Sequence, residues 1–171
     1  YIMAEINFTI RHIKEWEGGF VNDPFDSGGA TNKGITLNTY KRFCLDNNRP
    51  IPSVEDLKNI SDKDWHALFL SNYWNKWQAS LIEDKYVATM LVDWVFNSGK
   101  WGIVIPQRLL KVREDGIVGI NTLNAVNSAD PDYFFNELLW ARKEFYRDIV
   151  RKKPTQERFL KGWFNRIESI K

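Results

Sequence analysis

The chain has 171 residues, of which 43% are hydrophobic and 27% charged, and its formal net charge is +2 at pH 7. This composition predicts a folded chain with a packed core and excludes an intrinsically disordered or strongly polycationic one. A single cysteine, Cys44, excludes an internal disulfide framework and is expected to be a buried thiol; the two scattered histidines give no metal-ligand spacing. We therefore expect no metal and no cofactor.

The first predicted element is an amphipathic helix that ends at a double glycine. Hydrophobic residues recur at helical spacing from residue 6 to residue 16, and Glu17 is expected to be the last residue before glycines 18–19. The negative end of the helix dipole, together with partial desolvation by Trp16 and Phe20, favours a protonated carboxyl there. Protonation of a glycosidic oxygen requires such a group. The alternative is an ordinary solvated acid beside a glycine cap.

A polar, glycine-rich loop follows and contains Asp26 and Thr31. Short extended segments at 20–21 and 34–36 predict a small β-hairpin that folds both side chains back toward the end of the helix. A glycosidase needs a second group across the scissile bond from its acid, as base, nucleophile or electrostatic stabiliser. Asp26 and Thr31 are candidates for that role, and the alternative for Asp26 is a turn former that bonds its own backbone.

Two stretches around this loop, EGGFVNDP at 17–24 and GGATNKGIT at 28–36, closely resemble the signature of glycoside hydrolase family 108. That family consists of N-acetylmuramidases, or lysozymes. The order of acid, Asp and Thr is also similar to that of phage lysozymes, in which the Glu is the proton donor, although four residues rather than five separate Asp and Thr here. The resemblance implies that Glu17 is the catalytic acid, with Asp26 and Thr31 as its catalytic partners.

Beyond the loop the pattern predicts helices, the first of them capped by Thr36, which is also a candidate substrate-binding residue. With the resemblance, the expected fold is mostly α: a lysozyme-like helical domain with a small β-hairpin after the first helix, plus a helical C-terminal lobe.

A strongly apolar helix that begins near Tyr86 and ends at Ser98-Gly99 carries Asp93 and Asn97 four residues apart on one face. In family 108 a comparable segment lines the cleft, so the resemblance makes both residues candidates for substrate contact. The alternative for Asp93 is a bridge to a neighbouring helix inside the core.

The chain holds eight tryptophans. Sugar-binding sites stack pyranose faces on aromatic rings, and Trp74 and Trp101 lie in polar contexts near predicted helix ends, so we include both as candidate substrate-binding residues. Packing is the expected role of most of the others.

The composition changes sign near residue 99: residues 1–98 hold 10 basic and 13 acidic side chains, and residues 99–171 hold 14 and 9. The stretch DGIVGINTLNAVN at 115–127 resembles the type 3 peptidoglycan-binding module that commonly follows the family 108 catalytic domain. The alternative is only a turn and a helix cap. We expect a catalytic domain over 1–98 and a helical, peptidoglycan-binding-like module over 99–171 docked on it.

The expected function is a muramidase that cleaves the β-1,4 bond between N-acetylmuramic acid and N-acetylglucosamine, with peptidoglycan glycan strands as the partner. A lytic transglycosylase would use the same bond and the same acid. A non-catalytic wall-binding protein or a basic nucleic-acid-binding protein is the third alternative, but the charge excess is modest and no nucleic-acid motif is present. We expect a monomer that binds no nucleic acid.

No apolar run approaches the roughly 18 residues of a membrane span, so no membrane insertion is expected. The start of the sequence lacks the basic and apolar segments of a signal peptide. We expect a protein made in the bacterial cytoplasm, encoded by a phage or prophage, that reaches the wall through a holin or by specialised export.

Overall fold

The computed structural model describes residues 2–23 and 29–171, with side chains described from residue 6 onward. This part of the chain is mostly helical and carries one two-stranded antiparallel sheet, which confirms the predicted fold class. Its elements are α1 (Ile2–Trp16), β1 (Thr31–Asn32), β2 (Ile35–Thr36), α2 (Leu37–Asp46), α3 (Val54–Lys58), α4 (Asp62–Phe69), α5 (Lys85–Ser98), α6 (Trp101–Leu109), α7 (Ile120–Ser128), α8 (Pro131–Lys152) and α9 (Glu157–Glu168). None of these helices combines the length and apolarity needed to cross a bilayer.

The chain divides into two compact units. The hairpin unit is Ile13–Asn72, and the terminal unit combines Tyr1–His12 with Tyr73–Lys171. This division does not coincide with the boundary expected between residues 98 and 99. The reason is that α5 and α6, on either side of that boundary, pack against each other and against α8 inside the terminal unit.

The hairpin unit is built from α2, α3 and α4 beneath the β-hairpin. Each of these helices begins at a hydroxyl cap, because Thr36, Ser53 and Ser61 each accept a hydrogen bond from the backbone N–H three residues later. Trp65 and Phe69 stack with their ring centroids 5.3 Å apart. Side chains buried by the three helices are Tyr40, Phe43, Cys44, Leu57, Trp65, Leu68 and Phe69.

Cys44 confirms the expected buried thiol, since only 3% of the residue is exposed. It lies on the inward face of α2, one turn after Tyr40. Burial is the main cause that raises the pKa of this thiol above its ordinary value.

The terminal unit has α5 at its centre. Every residue of α5 from Val87 to Val95 is buried, as expected of a helix with neighbours on several sides. The approach of α6 to α5 is so close that a Cβ on Gly102 would lie 2.5 Å from the backbone nitrogen of Val95. The indole N–H of Trp77 donates to the Gly102 carbonyl over 3.1 Å and fixes this contact.

Candidate functional site

The β-hairpin turns tightly at Lys33 and Gly34, whose φ angles are 49° and 78°. Two consecutive positive φ angles are the geometry of a type I′ turn, which matches the natural twist of a two-residue hairpin. In the resulting register Thr31 faces Thr36 and Asn32 faces Ile35. Both residues of the second pair are buried, so the hairpin has one face toward the core of its unit.

Side-chain hydrogen bonds anchor the hairpin to two helices of the same unit. The Asn32 amide donates to the carbonyls of Leu57 and Lys58, over 3.0 and 3.1 Å, at the C-terminal end of α3. The indole N–H of Trp65 on α4 donates to the Lys33 carbonyl over 3.1 Å. The hairpin is therefore a fixed platform rather than a free loop tip.

A backbone bridge joins this hairpin to the segment that follows α1. Val21 and Thr31 exchange two N–H to carbonyl hydrogen bonds, each 2.8 Å long. Thr31 is thus paired with Val21 on one side and with Thr36 on the other. Directly paired residues share a face of a sheet, so the two threonine side chains lie on the face opposite to Asn32.

Glu17 stands at the end of α1, four residues before this bridge. The helix ends at Trp16, one residue earlier than expected, but the Glu17 backbone N–H still donates to the Ile13 carbonyl over 3.0 Å. The Glu17 side chain is half-buried. A Cβ on Gly18 or Gly19 would meet no atom of the described residues within 4 Å, so no packing contact among those residues requires glycine at either position.

The other two loop candidates differ in what the structure describes. Asp26 lies outside the described residues, which are 2–23 and 29–171. Thr36 is the N-cap of α2, where its hydroxyl accepts from the Thr39 backbone N–H over 3.1 Å and donates to the Thr39 hydroxyl over 2.9 Å. The sequence prediction of this cap is confirmed, and the Thr36 hydroxyl is already committed to it.

A charged cluster that the sequence analysis did not predict surrounds the last turn of α1. The Lys14 ammonium lies 3.3 Å from His66 Nε2 and 3.6 Å from an Asp62 carboxylate oxygen, which is also 3.7 Å from the Lys33 ammonium. The charges of Lys14 and Lys33 lower the pKa of Asp62, whereas burial and then Lys14 lower the pKa of His66. Lys14 precedes Glu17 by three residues and so lies on the same face of the helix. This spacing is the sequence signal from which a basic group near Glu17 could have been predicted.

The loop before α7 is organised by one buried glutamine in the terminal unit. Gln107 on α6 accepts from the Gly116 backbone N–H over 2.9 Å, and its amide donates to the Ile117 carbonyl and to the hydroxyl of Thr122. Asp115 accepts from the Ile117 backbone N–H. The first part of the DGIVGINT stretch therefore specifies a tight, internally bonded loop.

The glycosyl hydrolase 108 family model matches residues 10–99, more than half of the chain. The chain belongs to the glycosyl hydrolase 108 family. A second family model, described as Predicted Peptidoglycan domain, matches residues 101–168. Together the two matches support a glycoside hydrolase that acts on peptidoglycan.

A solved structure supports the same assignment. The structure of Brucella abortus SagA has a TM-score of 0.78 with this chain and is 30% identical to it, over 96% of this chain and 91% of that one. A search of the curated proteins found no match. The mostly helical fold with its small hairpin is thus shared with a solved protein over nearly the whole chain.

Among the remaining candidates of this glycosyl hydrolase 108 chain, Asp93 lies in the core. Its carboxylate is fully buried between two guanidinium groups, 2.8 Å from Arg142 and 2.7 Å from Arg166, with His12 Nε2 at 3.9 Å. Burial alone would raise the pKa of Asp93, but the two arginines outweigh it and hold the pKa well below its usual range. The expected substrate contact is therefore corrected: Asp93 is an internal bridge between helices, the alternative that the sequence left open.

Asn97 and the two candidate tryptophans differ in their exposure to solvent. Asn97, on the last turn of α5, is exposed, and so is Trp101 at the start of α6. Trp74 is buried, and its indole N–H donates to the Ser80 hydroxyl over 2.9 Å. The prediction that Trp74 lines the cleft is therefore corrected: Trp74 is a core residue, because a sugar cannot stack on a ring that has no exposed face.

From residue 6 onward, apart from 24–28, no group of three or more His, Cys, Asp and Glu side chains could hold a metal ion. General acid chemistry at a carboxyl group needs no such ion.

Proposed function

We propose that this glycosyl hydrolase 108 chain is an N-acetylmuramidase that hydrolyses the β-1,4 bond between N-acetylmuramic acid and N-acetylglucosamine. Glu17 donates a proton to the glycosidic oxygen, and a water molecule attacks the opposite face of the sugar ring. The leaving sugar departs as a neutral alcohol, which lowers the barrier to cleavage.

The position of Glu17 is the observation that carries this proposal. The acid is half-buried at the end of α1, and the chain after it is pinned by the Val21–Thr31 bridge. A general acid has to be held in one place while a substrate approaches it from an open side. The exposed glycines at 18 and 19 supply that open side, and the anchored hairpin supplies the fixed one.

We further propose that Asp26 positions or deprotonates the attacking water, with Thr31 as its partner. Asp26 stands five residues along the chain from each member of the Val21–Thr31 bridge. An inverting mechanism of this kind needs carboxyl groups about 6.5–9.5 Å apart, whereas a nucleophile would lie about 5–5.5 Å from the acid.

The stereochemistry of the product tests the role of Asp26. We expect an α-configured product in rapid NMR of the reaction, since inversion of a β-linked bond gives the α anomer. A covalent glycosyl adduct on Asp26, or a β-configured first product, would make Asp26 a nucleophile instead.

The reaction itself is tested by digesting purified cell wall with the full-length protein and measuring the masses of the released muropeptides. Hydrolysis at the proposed bond leaves reducing N-acetylmuramic acid ends. Anhydro ends would instead identify a lytic transglycosylase, and reducing N-acetylglucosamine ends would identify cleavage of the other bond. Wall that stays intact would contradict both enzymatic alternatives.

A further inference from the structure

The terminal unit carries an open pocket beside the loop that Gln107 organises. Its volume is about 520 Å³, and its lining includes Arg113, Asp115, Ile117, Gly119 and Ile120. Small-molecule sites in proteins are concave and of this size range. The pocket is formed by loop backbone and the first turn of α7, all within residues 112–122.

The two glycines of this loop have different reasons to be glycine. Gly116 has a φ of 71°, and a Cβ there would lie 2.3 Å from the Lys100 side chain, so its role is structural. Gly119 has a φ of −108°, which any residue adopts, and a Cβ on it would meet no atom within 4 Å. Within residues 2–23 and 29–171, nothing therefore requires glycine at 119. A side chain there would occupy the pocket.

The pocket is preformed, because the polar groups beneath it bond to one another. Gln107 has no exposed surface and spends both ends of its amide on the loop, as described above. One oxygen of Asp115 accepts from the Ile117 backbone N–H, which is the main cause that lowers the pKa of Asp115. A preformed site binds without the cost of ordering a loop.

The side chains left to face solvent are of two chemical kinds. Ile117 and Ile120 are apolar and 70% and 69% exposed. Arg113 is 89% exposed and lies 3.7 Å from the second oxygen of Asp115, a loose pair that presents one cation and one anion. None of the eight lining residues is aromatic, so the pocket lacks the flat surface on which a sugar ring stacks.

We propose that this pocket binds the peptide stem of peptidoglycan. Carboxylates of the stem pair with Arg113, a side-chain ammonium pairs with the second oxygen of Asp115, and alanine methyl groups contact Ile117 and Ile120. Charge complementarity favours this ligand over the uncharged backbone of the glycan strand. The inference rests on the proposed function only in that peptidoglycan is the shared substrate, and it names a second contact outside the Glu17 site.

The test uses full-length protein and a synthetic stem tripeptide of alanine, isoglutamate and diaminopimelate. Titration followed by two-dimensional amide NMR is expected to shift resonances within residues 112–122. Gly119→Leu fills the pocket without backbone strain and is expected to abolish the shifts. Gly162→Leu is the matched control, because a Cβ on Gly162 also meets no atom within 4 Å, and its shifts should equal those of the wild type.

A second variant tests the charge argument. Arg113→Gln is expected to weaken tripeptide binding about tenfold, the effect of one charge-assisted hydrogen bond. The proposal is overturned if the tripeptide shifts no resonance in 112–122, if Gly119→Leu binds as tightly as Gly162→Leu, or if a peptide-free chitooligosaccharide produces those shifts instead. These readouts require no catalysis, so they stand apart from any failure of Glu17 in the activity assay.

Discussion

At the scale of single residues, two carboxyl groups of this chain have opposite surroundings. Glu17 is half-buried beside two exposed glycines, whereas Asp93 is fully enclosed by arginine side chains. Both lie in a helical hydrophobic pattern, but only the first side chain is partly exposed to solvent. The difference predicts that substitutions at the two positions fail in different assays.

Glu17→Gln is expected to fold normally and to lose the clearing of cell walls by at least about 100-fold, because the amide keeps the shape but has no acidic proton to give. Turbidity loss of purified wall measures the rate, and thermal unfolding checks the fold. Glu15→Gln is the matched control, since Glu15 is exposed on α1 two residues earlier. A Glu17→Gln rate above about a tenth of the wild-type rate would remove Glu17 from the chemistry, given the size of general acid catalysis.

Asp93→Asn is expected to lower the free energy of unfolding by about 3–5 kcal/mol, because two buried arginines lose their counter-charge. Urea denaturation measures this value. Asp148→Asn removes an exposed partner of Arg151 on α8 and serves as the control, with an expected change within about 0.5 kcal/mol.

The same substitution carries a pH dependence of known sign. The pKa of Asp93 is lower in the folded protein than in the unfolded chain, so its contribution is fully present above the unfolded value of about 3.9 and is lost as pH falls below it. The stability difference between wild type and Asp93→Asn should therefore shrink as the pH falls from about 5 to about 3. A difference that stays constant over this range would show that Asp93 is not held ionised.

At the scale of elements, the β-hairpin depends on backbone geometry that local sequence already encodes. The pair Lys33-Gly34 supplies both positive φ angles of its turn. The extended segments at 20–21 and 34–36 predict a wider hairpin, whereas the two strands are Thr31–Asn32 and Ile35–Thr36, and Val21 is bridged to Thr31. The sequence could not give the anchors of that hairpin, because Asn32 and Trp65 bond to carbonyls 25 and 32 residues away. The local sequence pattern predicts that a hairpin forms in this loop, whereas hydrogen bonds to residues distant in the sequence hold the hairpin in place.

Gly34→Ala is expected to destabilise the protein by about 1–2 kcal/mol, because alanine is strained in the left-handed region. It should also lower wall-clearing activity, since Thr31 and Thr36 lie on the hairpin that the turn closes. Gly162→Ala is the contrasting variant: Gly162 lies within α9 with space around it, so alanine there should stabilise by about 0.5–1 kcal/mol. Thermal unfolding of both variants measures the sign of each change in stability. Changes of the same sign would contradict the left-handed turn at Gly34.

At the scale of the whole molecule, the two family matches and the two compact units divide the chain at different residues. The family models meet near residue 100, whereas the compact units break at residues 12 and 72. The change in charge and the motif resemblance predict a boundary between residues 98 and 99. The compact units could not be predicted from local pattern, because the partners of Asp93 on α8 and α9 are 49 and 73 residues away.

A fragment of residues 1–98 is therefore expected not to fold as an independent domain. It would expose the surface of α5 that packs against α6 and α8, and it would leave Asp93 without both arginines. Circular dichroism during heating should show no cooperative transition, unlike the full chain. A sharp transition together with dispersed amide resonances would instead establish residues 1–98 as a domain.

The enclosed thiol of Cys44 has a practical consequence for chemistry at the surface. A thiolate is the species that reacts with alkylating reagents and oxidants, and burial with a raised pKa keeps this sulfur protonated and out of contact. Because Cys44 is the one cysteine in the sequence, a second cysteine introduced at an exposed position becomes the single labelled atom in the folded protein. A fluorophore or spin label can then be attached without first removing the native residue.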